Sequence, residues 1–448
     1  MAASLSLACS ASAFAHGGQP RVVDLVFPDA GGRDVWAITD SQGLYARVDG
    51  EFRWLCEDAV VLNAGFQSVV PVGDEVGNAL VVATNFGVFL TDDGGCTFAP
   101  VGGALIDVVP LGVYGHPTRP NEILVATQTP QQPNDVYVSD DGGRSFRAAG
   151  LEVDGRVRSI LRAEASPERV FVSHAQGVAR SDDGGRVFTA VTLGPPGVNV
   201  APEEFLFLAG HPVNPDEVWA VIERFPDSIV IRSRDAGQSW MPMLTVADTP
   251  SGFVFDASGE SVLLTSRFDA WHRSEDGGDT WNRAAEGVPL IGCLERQPGT
   301  DRIWACSNVF FMGPWVLAYS DDFAASFSTV LPHYNGVSRT WGCAAETPAG
   351  QACEGLCPGQ EIGADCSLDN PAQPPAPATS PPVPPTGPAS LNPGGQDQGV
   401  VDSDASTEPP NTEARPSGDA ACAFAWPHRD APLALFALAL LVLRRRPR

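Results

Sequence analysis

Short apolar runs punctuate the chain at regular intervals: Val35-Trp36-Ala37-Ile38, Leu80-Val81-Val82-Ala83, Ile123-Leu124-Val125-Ala126, Val170-Phe171-Val172, Val218-Trp219-Ala220-Val221, Val262-Leu263-Leu264 and Ile303-Trp304-Ala305-Cys306. Three or four β-branched, aromatic or aliphatic residues bounded by turn residues read as strands, and no stretch of helical periodicity competes. A second apolar segment follows within a few residues, as in Gly43-Leu44-Tyr45, Gly87-Val88-Phe89, Val136-Tyr137-Val138 and Gly177-Val178-Ala179. Seven such pairs predict an all-β chain built from one repeating unit.

After most pairs comes an eight-residue motif, Ser/Thr-x-Asp-x-Gly-x-x-Phe/Trp. It runs Thr91/Asp93/Gly95/Phe98, Ser139/Asp141/Gly143/Phe146, Ser181/Asp183/Gly185/Phe188, Ser233/Asp235/Gly237/Trp240, Ser274/Asp276/Gly278/Trp281 and a worn copy, Ser320/Asp322/Ala324/Phe327. The first repeat has a plain turn instead, Asp49-Gly50, followed by Glu51-Phe52-Arg53-Trp54. The Asp is expected to accept hydrogen bonds from backbone N–H groups one or two residues on, the Gly to supply a positive φ, and the aromatic to start the next strand. The motif therefore predicts hairpin turns rather than calcium sites, because it lacks the alternating oxygen ligands and distal Glu of a calcium loop.

Steps of 48, 42, 52, 41 and 46 residues between successive motifs leave room for four short strands each. The fold predicted is a seven-bladed β-propeller of four-stranded antiparallel blades, with six and eight the neighbouring counts. The motif resembles the Asp-box, or BNR, repeat of sialidases, sortilin-type receptors, xyloglucanases and photosystem II assembly factors, over about residues 20 to 340. That resemblance implies that the motif joins the third and fourth strands of a blade, at the periphery and away from a binding face. Closure of the ring is expected to use a strand from one terminus, Arg21 to Phe27 or Val337 to Trp341. His116 and His211 sit at matching positions in His-Pro-x-x-Pro turns and read as turn residues rather than ligands.

The ends differ in composition. Residues 1–15 are short-chained and apolar and close on an Ala-x-Ala pattern, as in a signal peptide. The propeller is assigned to residues 16–340 and a Cys-rich segment to 341–369. Residues 370–420 are rich in Pro, Ala, Ser, Gly, Asp and Thr, a composition that cannot bury enough apolar area to order itself and predicts a disordered stalk. Residues 421–448 carry Cys422, a 13-residue apolar stretch from Ala431 to Leu443 that predicts a short hydrophobic helix, and the terminal Arg444-Arg445-Arg446-Pro447-Arg448. This tail resembles a bacterial C-terminal sorting tail of the myxobacterial type, departing from it in His428-Arg429-Asp430. The resemblance implies Cys422 as the anchoring and processing residue, and an exported protein held at the cell surface or released outside.

Removing Cys9 with the signal and setting Cys422 aside leaves eight cysteines, an even number that suits an oxidising compartment. A hairpin turning at Gly299-Thr300 would bring Cys293 opposite Cys306, predicting a disulfide. Cys343, Cys353, Cys357 and Cys366 are expected to form a disulfide knot rather than a metal site, and Cys56 and Cys96 to pair by elimination. No cofactor or metal is expected. A net charge of −26, with Arg as the sole strong cation because the chain contains no Lys, argues against nucleic acid as a partner.

Two classes of function fit. One is a non-enzymatic module, expected to be monomeric, binding a glycan or an extracellular protein through its loops and attached to the membrane by its tail; an extracytoplasmic assembly factor is a special case. The other is a glycoside hydrolase. A sialidase-like site would draw on Arg21, Arg224, Arg267, Arg339, Tyr334 and Glu204, but the Arg-Ile-Pro signature is replaced by Arg21-Val22-Val23. Xyloglucanase-like catalysis needs two propellers, and the chain has one. No catalytic residue is assigned, and the balance lies with binding. The loops that break the repeat place a candidate face at Glu204, Arg224, Trp315, Tyr334, Arg339 and Trp341.

Overall fold

The second strand of each repeat is the most apolar, and in the fold it is the strand enclosed on every side. The computed structural model describes residues 20–353, apart from residues 29–34, 41, 49, 62–64, 74–77, 267–270, 284–288, 308–312, 335–336 and 338. The signal segment, the stalk, the tail, Arg267, Cys357, Cys366 and Cys422 lie outside the described residues, as does the side chain of Arg339. Seven sheets follow one another along the chain and form a seven-bladed β-propeller; each blade is four antiparallel strands, and the first sheet carries a fifth. The apolar runs are the second strands, for example Val35–Thr39, Ile123–Thr127, Val218–Ile222 and Ile303–Ser307, buried along their whole length.

The first strands lie at the axis. They are Val22–Val26, Phe66–Val72, Pro110–Gly115, Val157–Arg162, Phe205–Gly210, Pro250–Phe255 and Ile291–Arg296; neighbours in this series lie against each other, save that Val157–Arg162 meets the second strand Ile123–Thr127 of blade three, and Ile291–Arg296 meets Val22–Val26 to complete the ring. Each carries a one-residue slip in its pairing with the second strand. Such bulges bend and twist a strand, which suits one that must turn about a shared axis. Polar contacts join the inner strands of adjacent blades: the Val113 N–H donates to Ser68 Oγ at 2.7 Å, and the Phe207 N–H to Ser159 Oγ at 3.0 Å.

Apolar clusters sit between blades rather than within them. Blades four and five share Phe171, Phe205 and Trp240, and blades five and six share Trp219, Phe253 and Phe255. The largest cluster closes the ring. It joins Val22, Trp36 and Leu55 of blade one to Cys293, Trp304 and Leu317 of blade seven and to Tyr334, Val337 and Cys353 of the C-terminal segment.

Both predicted closing segments are used, in different ways. Val22–Val26 is the inner strand of blade one, whereas Arg339–Thr340 adds a fifth strand, parallel to Glu51–Leu55, on its outer edge. The chain then forms the short helix Pro348–Cys353 and is fastened by Cys56–Cys353 and Cys96–Cys343; a third disulfide joins Cys293 to Cys306 across paired strands. The pairing of Cys56 with Cys96 is thereby corrected, as is a knot among the C-terminal cysteines. Cys343 and Cys353 instead each bond to a blade that precedes them by about 250 to 300 residues. Local spacing cannot reveal this, because only ring closure brings the two ends together. Structural disulfides of this kind mark an exported protein.

Candidate functional site

The repeated motif joins the third and fourth strands of blades two to seven and uses its polar atoms internally. In the second copy, Ser139 Oγ donates to Asp141 Oδ1 at 2.8 Å and accepts the Gly143 N–H at 2.9 Å. Asp141 Oδ1 in turn accepts the N–H groups of Arg144 and Ser145 at 3.1 and 2.9 Å. The accepted donors thus stand three and four residues beyond the Asp, not one or two, because the chain makes a full loop around the carboxylate before the fourth strand begins. The motif also packs against the preceding blade. A Cβ on Gly143 would lie 2.5 Å from Val81 Cγ2, and one on Gly278 2.4 Å from Trp219, both in second strands of the blade before.

Antiparallel strands alternate their connections between two ends of the ring. The motif shares its end with the turns between first and second strands, where His116 and His211 lie. In each His the Nδ1 atom accepts two backbone N–H groups, of Thr118 and Arg119 at 3.2 Å and of Val213 and Asn214 at 3.1 and 3.0 Å. His116 approaches Glu122 and Glu168 in a spacing that could hold a metal ion. Its hydrogen bonds assign the proton to Nε2, however, which takes away the lone pair a metal would need. Arg119, Arg162 and Arg186 also occupy the Glu122 carboxylate. This cluster is an ion-pair network between blades three and four.

The opposite end carries the connections between second and third strands and between blades. Blade five is the most extended there, since its third and fourth strands, Asp227–Ser233 and Met241–Ala247, run to seven residues each. At its tip Phe225 is 99% exposed, after Arg224 and before a cis Pro226. Arg224 donates to Glu204 Oε2 through Nε at 2.9 Å and Nη2 at 2.8 Å, and also to the carbonyl of Asn199, tying the tip to the turn Pro202–Glu204.

Other members of the sequence-derived face are not open on that end. Trp315 and Tyr334 are buried, at 5% and 4% exposure. Trp315 stacks on Phe327, with ring centroids 5.4 Å apart, and the Tyr334 hydroxyl donates to the Pro20 carbonyl at 2.9 Å. Burial, and then the charge of Asp40, raises the Tyr334 pKa, which leaves it a poor nucleophile. Trp341 is half-buried in the seam between blades one and two, edge-on to Trp36 and donating to the Gly94 carbonyl. Arg21 is held by Asp40 at 2.8 Å in blade one, far along the ring order from Arg224 and Glu204 in blade five. Glu204 and Arg224 remain at the loop end as a pair.

Two carboxyls that the sequence did not single out stand on inner strands of adjacent blades, Asp24 in blade one and Glu295 in blade seven. Enclosure by protein raises Asp24 to about 7, against the pull of the Leu25 N–H it accepts. Glu295 is pushed upward by the surrounding protein and by the negative charges of Asp24 and Glu164, but its side chain is exposed and water moderates the shift. Asp24 also acts on Tyr114 of blade three, so the three groups gather around the axis. No local signal marks them: each is a lone acidic residue within an otherwise ordinary strand, and only the ring sets them together.

No protein-family model and no curated protein sequence matches the chain. Among solved structures, it is similar to an ancestral GH74 enzyme, with 17% identity, a TM-score of 0.52, and coverage of 69% of this chain and 46% of that one. It is also similar to the GH74 xyloglucanase of Xanthomonas campestris, with 16% identity, a TM-score of 0.50, and coverage of 70% and 54%. A structure of YCF48 bound to D1 peptide follows at 16% identity and a TM-score of 0.46, covering 64% of this chain and 90% of that one. The class defined is the β-propeller. The chain spans about half the length of the GH74 structures it matches.

Proposed function

We propose that this is an exported Asp-box propeller that binds a glycan or an extracellular protein through the loop end of its ring, without cleaving it. The observation that carries the reading is Phe225, fully exposed at the tip of the longest blade and steadied by the Arg224–Glu204 pair. Phe225 is the most exposed of the large apolar side chains described, ahead of Phe86 at 64%, and aromatic rings so presented serve as anchors in recognition sites. The internal use of every motif Asp supports the same reading, since those carboxylates are committed to turns. In this proposal Cys422 and the C-terminal tail anchor the propeller at the cell surface, and an assembly role for a membrane complex would use the same loop end.

A second reading, glycoside hydrolysis, is favoured by one observation. Asp24 and Glu295 are two carboxyls on adjacent inner strands, and burial shifts Asp24 toward the protonated form that a general acid needs. One experiment separates the two. The protein is incubated with sialylated, β-glucan and matrix polysaccharides, and bound ligand and released sugar are read together. Retention that falls at least about tenfold in Phe225→Ala, with no sugar released, supports binding. Release that disappears in Asp24→Asn or Glu295→Gln overturns it in favour of hydrolysis. Retention unchanged in Phe225→Ala moves the site away from blade five.

A further inference from the structure

At four seams of the propeller the motif Gly lies directly on the preceding blade: Gly143 on Val81, Gly185 on Leu124, Gly237 on Phe171 and Gly278 on Trp219. The seam between blades one and two is built differently. There a Cβ on Gly95 would meet the Trp341 indole nitrogen at 3.1 Å first and Leu55 of blade one only at 3.5 Å, because a residue of the C-terminal strap shares the seam with blade one. Trp341 rests edge-on against Trp36, with ring centroids 6.1 Å apart, and donates to the Gly94 carbonyl. A short parallel strand, Arg339–Thr340, precedes it, and a disulfide fastens the strap on either side of the short turn that follows.

These two disulfides differ in access. Cys56 and Cys353 are buried beneath the helix Pro348–Cys353, and the Cys56 N–H points at Cys353 Sγ at 3.3 Å. Cys96 and Cys343 are both partly exposed. Exchange requires an attacking thiolate to reach a sulfur, so access orders the two bonds. We propose that the strap is a two-stage redox clasp, in which thiol–disulfide exchange opens Cys96–Cys343 first and releases Trp341 from the seam, while Cys56–Cys353 keeps the strap tethered. A dithiol reductant supplies the electrons. Its thiolate attacks one sulfur to form a mixed disulfide and displaces the other as a thiolate; its second thiol then resolves the mixed disulfide. The reductant leaves as a disulfide, and its two protons and two electrons convert Cys96 and Cys343 to thiols. Opening uncovers the Trp36 edge of blade one without dismantling the ring.

The test treats the full chain with dithiothreitol, quenches samples with an alkylating reagent and maps labelled cysteines by mass spectrometry while tryptophan fluorescence is followed. Cys96 and Cys343 are expected to label about tenfold faster than Cys56 and Cys353. A red shift should accompany that first phase, be absent in Trp341→Phe, and be reproduced without reductant in Cys343→Ser. Labelling of all four together, labelling only on loss of β circular dichroism, or a shift that persists in Trp341→Phe would each overturn the proposal. Far-ultraviolet dichroism of Cys343→Ser separates an opened strap from an unfolded chain.

Discussion

Gly143 and Ala324 occupy the same position in two copies of the motif, with φ values of 83° and 66°, yet meet different demands. The first must be Gly on two counts, its left-handed backbone and the 2.5 Å that a Cβ would leave to Val81. Gly143→Ala is expected to cost about 2 kcal/mol or more, and Ala324→Gly to raise stability by up to about 1 kcal/mol, both measured by urea unfolding. The Asp residues predict the pH response. Hydrogen bonds from Thr280 and Ser326 hold Asp276 and Asp322 at about 2. Their folded values lie below the unfolded one of about 3.9, so their stabilisation is present above that value and fades as pH falls from about 4 to about 2. Asp24 and Glu295 act with the opposite sign. With Asp24 raised to about 7 and Glu295 shifted the same way but exposed, their contribution is fully present below pH about 4 and is lost as pH climbs through about 7. Melting temperature should therefore decline across this upper range, and the decline should flatten in Asp24→Asn with Glu295→Gln; an unchanged slope would remove the enclosure argument for both.

Between blades, arginines do the joining, and their worth depends on how far water is excluded. Arg232 is nearly fully buried; it donates to the Gly277 carbonyl at 3.1 Å and Asp279 at 2.5 Å in the next blade and lies 5.1 Å from the Trp219 ring centroid. Arg144 reaches Asp92 of the preceding blade at 2.6 Å, with both side chains more than half exposed. Arg232→Met is expected to cost about 2 to 3 kcal/mol and Arg144→Ala less than about 1 kcal/mol, a contrast that thermal unfolding of the two variants checks. The second strands were legible in the sequence because adjacent blades bury them on both faces, which selects runs such as Ile123–Thr127. The inner strands were not. Pro110–Gly115 and Pro250–Phe255 mix Pro, Gly and Ser with apolar residues because one face borders the axis and a bulge breaks the alternation. The candidate site was legible only in part: Arg224 and Glu204 stand out as charged residues in a loop that breaks the repeat, whereas Trp315 is buried between blades six and seven and Tyr334 by ring closure.

For the molecule as a whole, closure rests on contacts between residues at opposite ends of the sequence. Cys56–Cys353 spans 297 residues and Cys293–Cys306 only 13. In the chain-entropy account the isolated loops are worth about 6 and about 3 kcal/mol, and with Cys96–Cys343 still closed the loss of the first pair on replacement by Ser falls to about 4 kcal/mol, so the two double variants should rank in that order by melting temperature. Equal losses would mean that strap packing, not loop closure, sets the value of the first bond. The same fastening has a mechanical side. The described chain ends at Cys353, whose sulfur is bonded to blade one rather than to blade seven, from which the chain has just come. A pull on the segment beyond passes through a covalent bond into the first blade, so the hydrogen-bonded edges of the last blade are spared the tension. Under drag the ring would be towed through its first blades, to which the strap leaving the last blade is already welded.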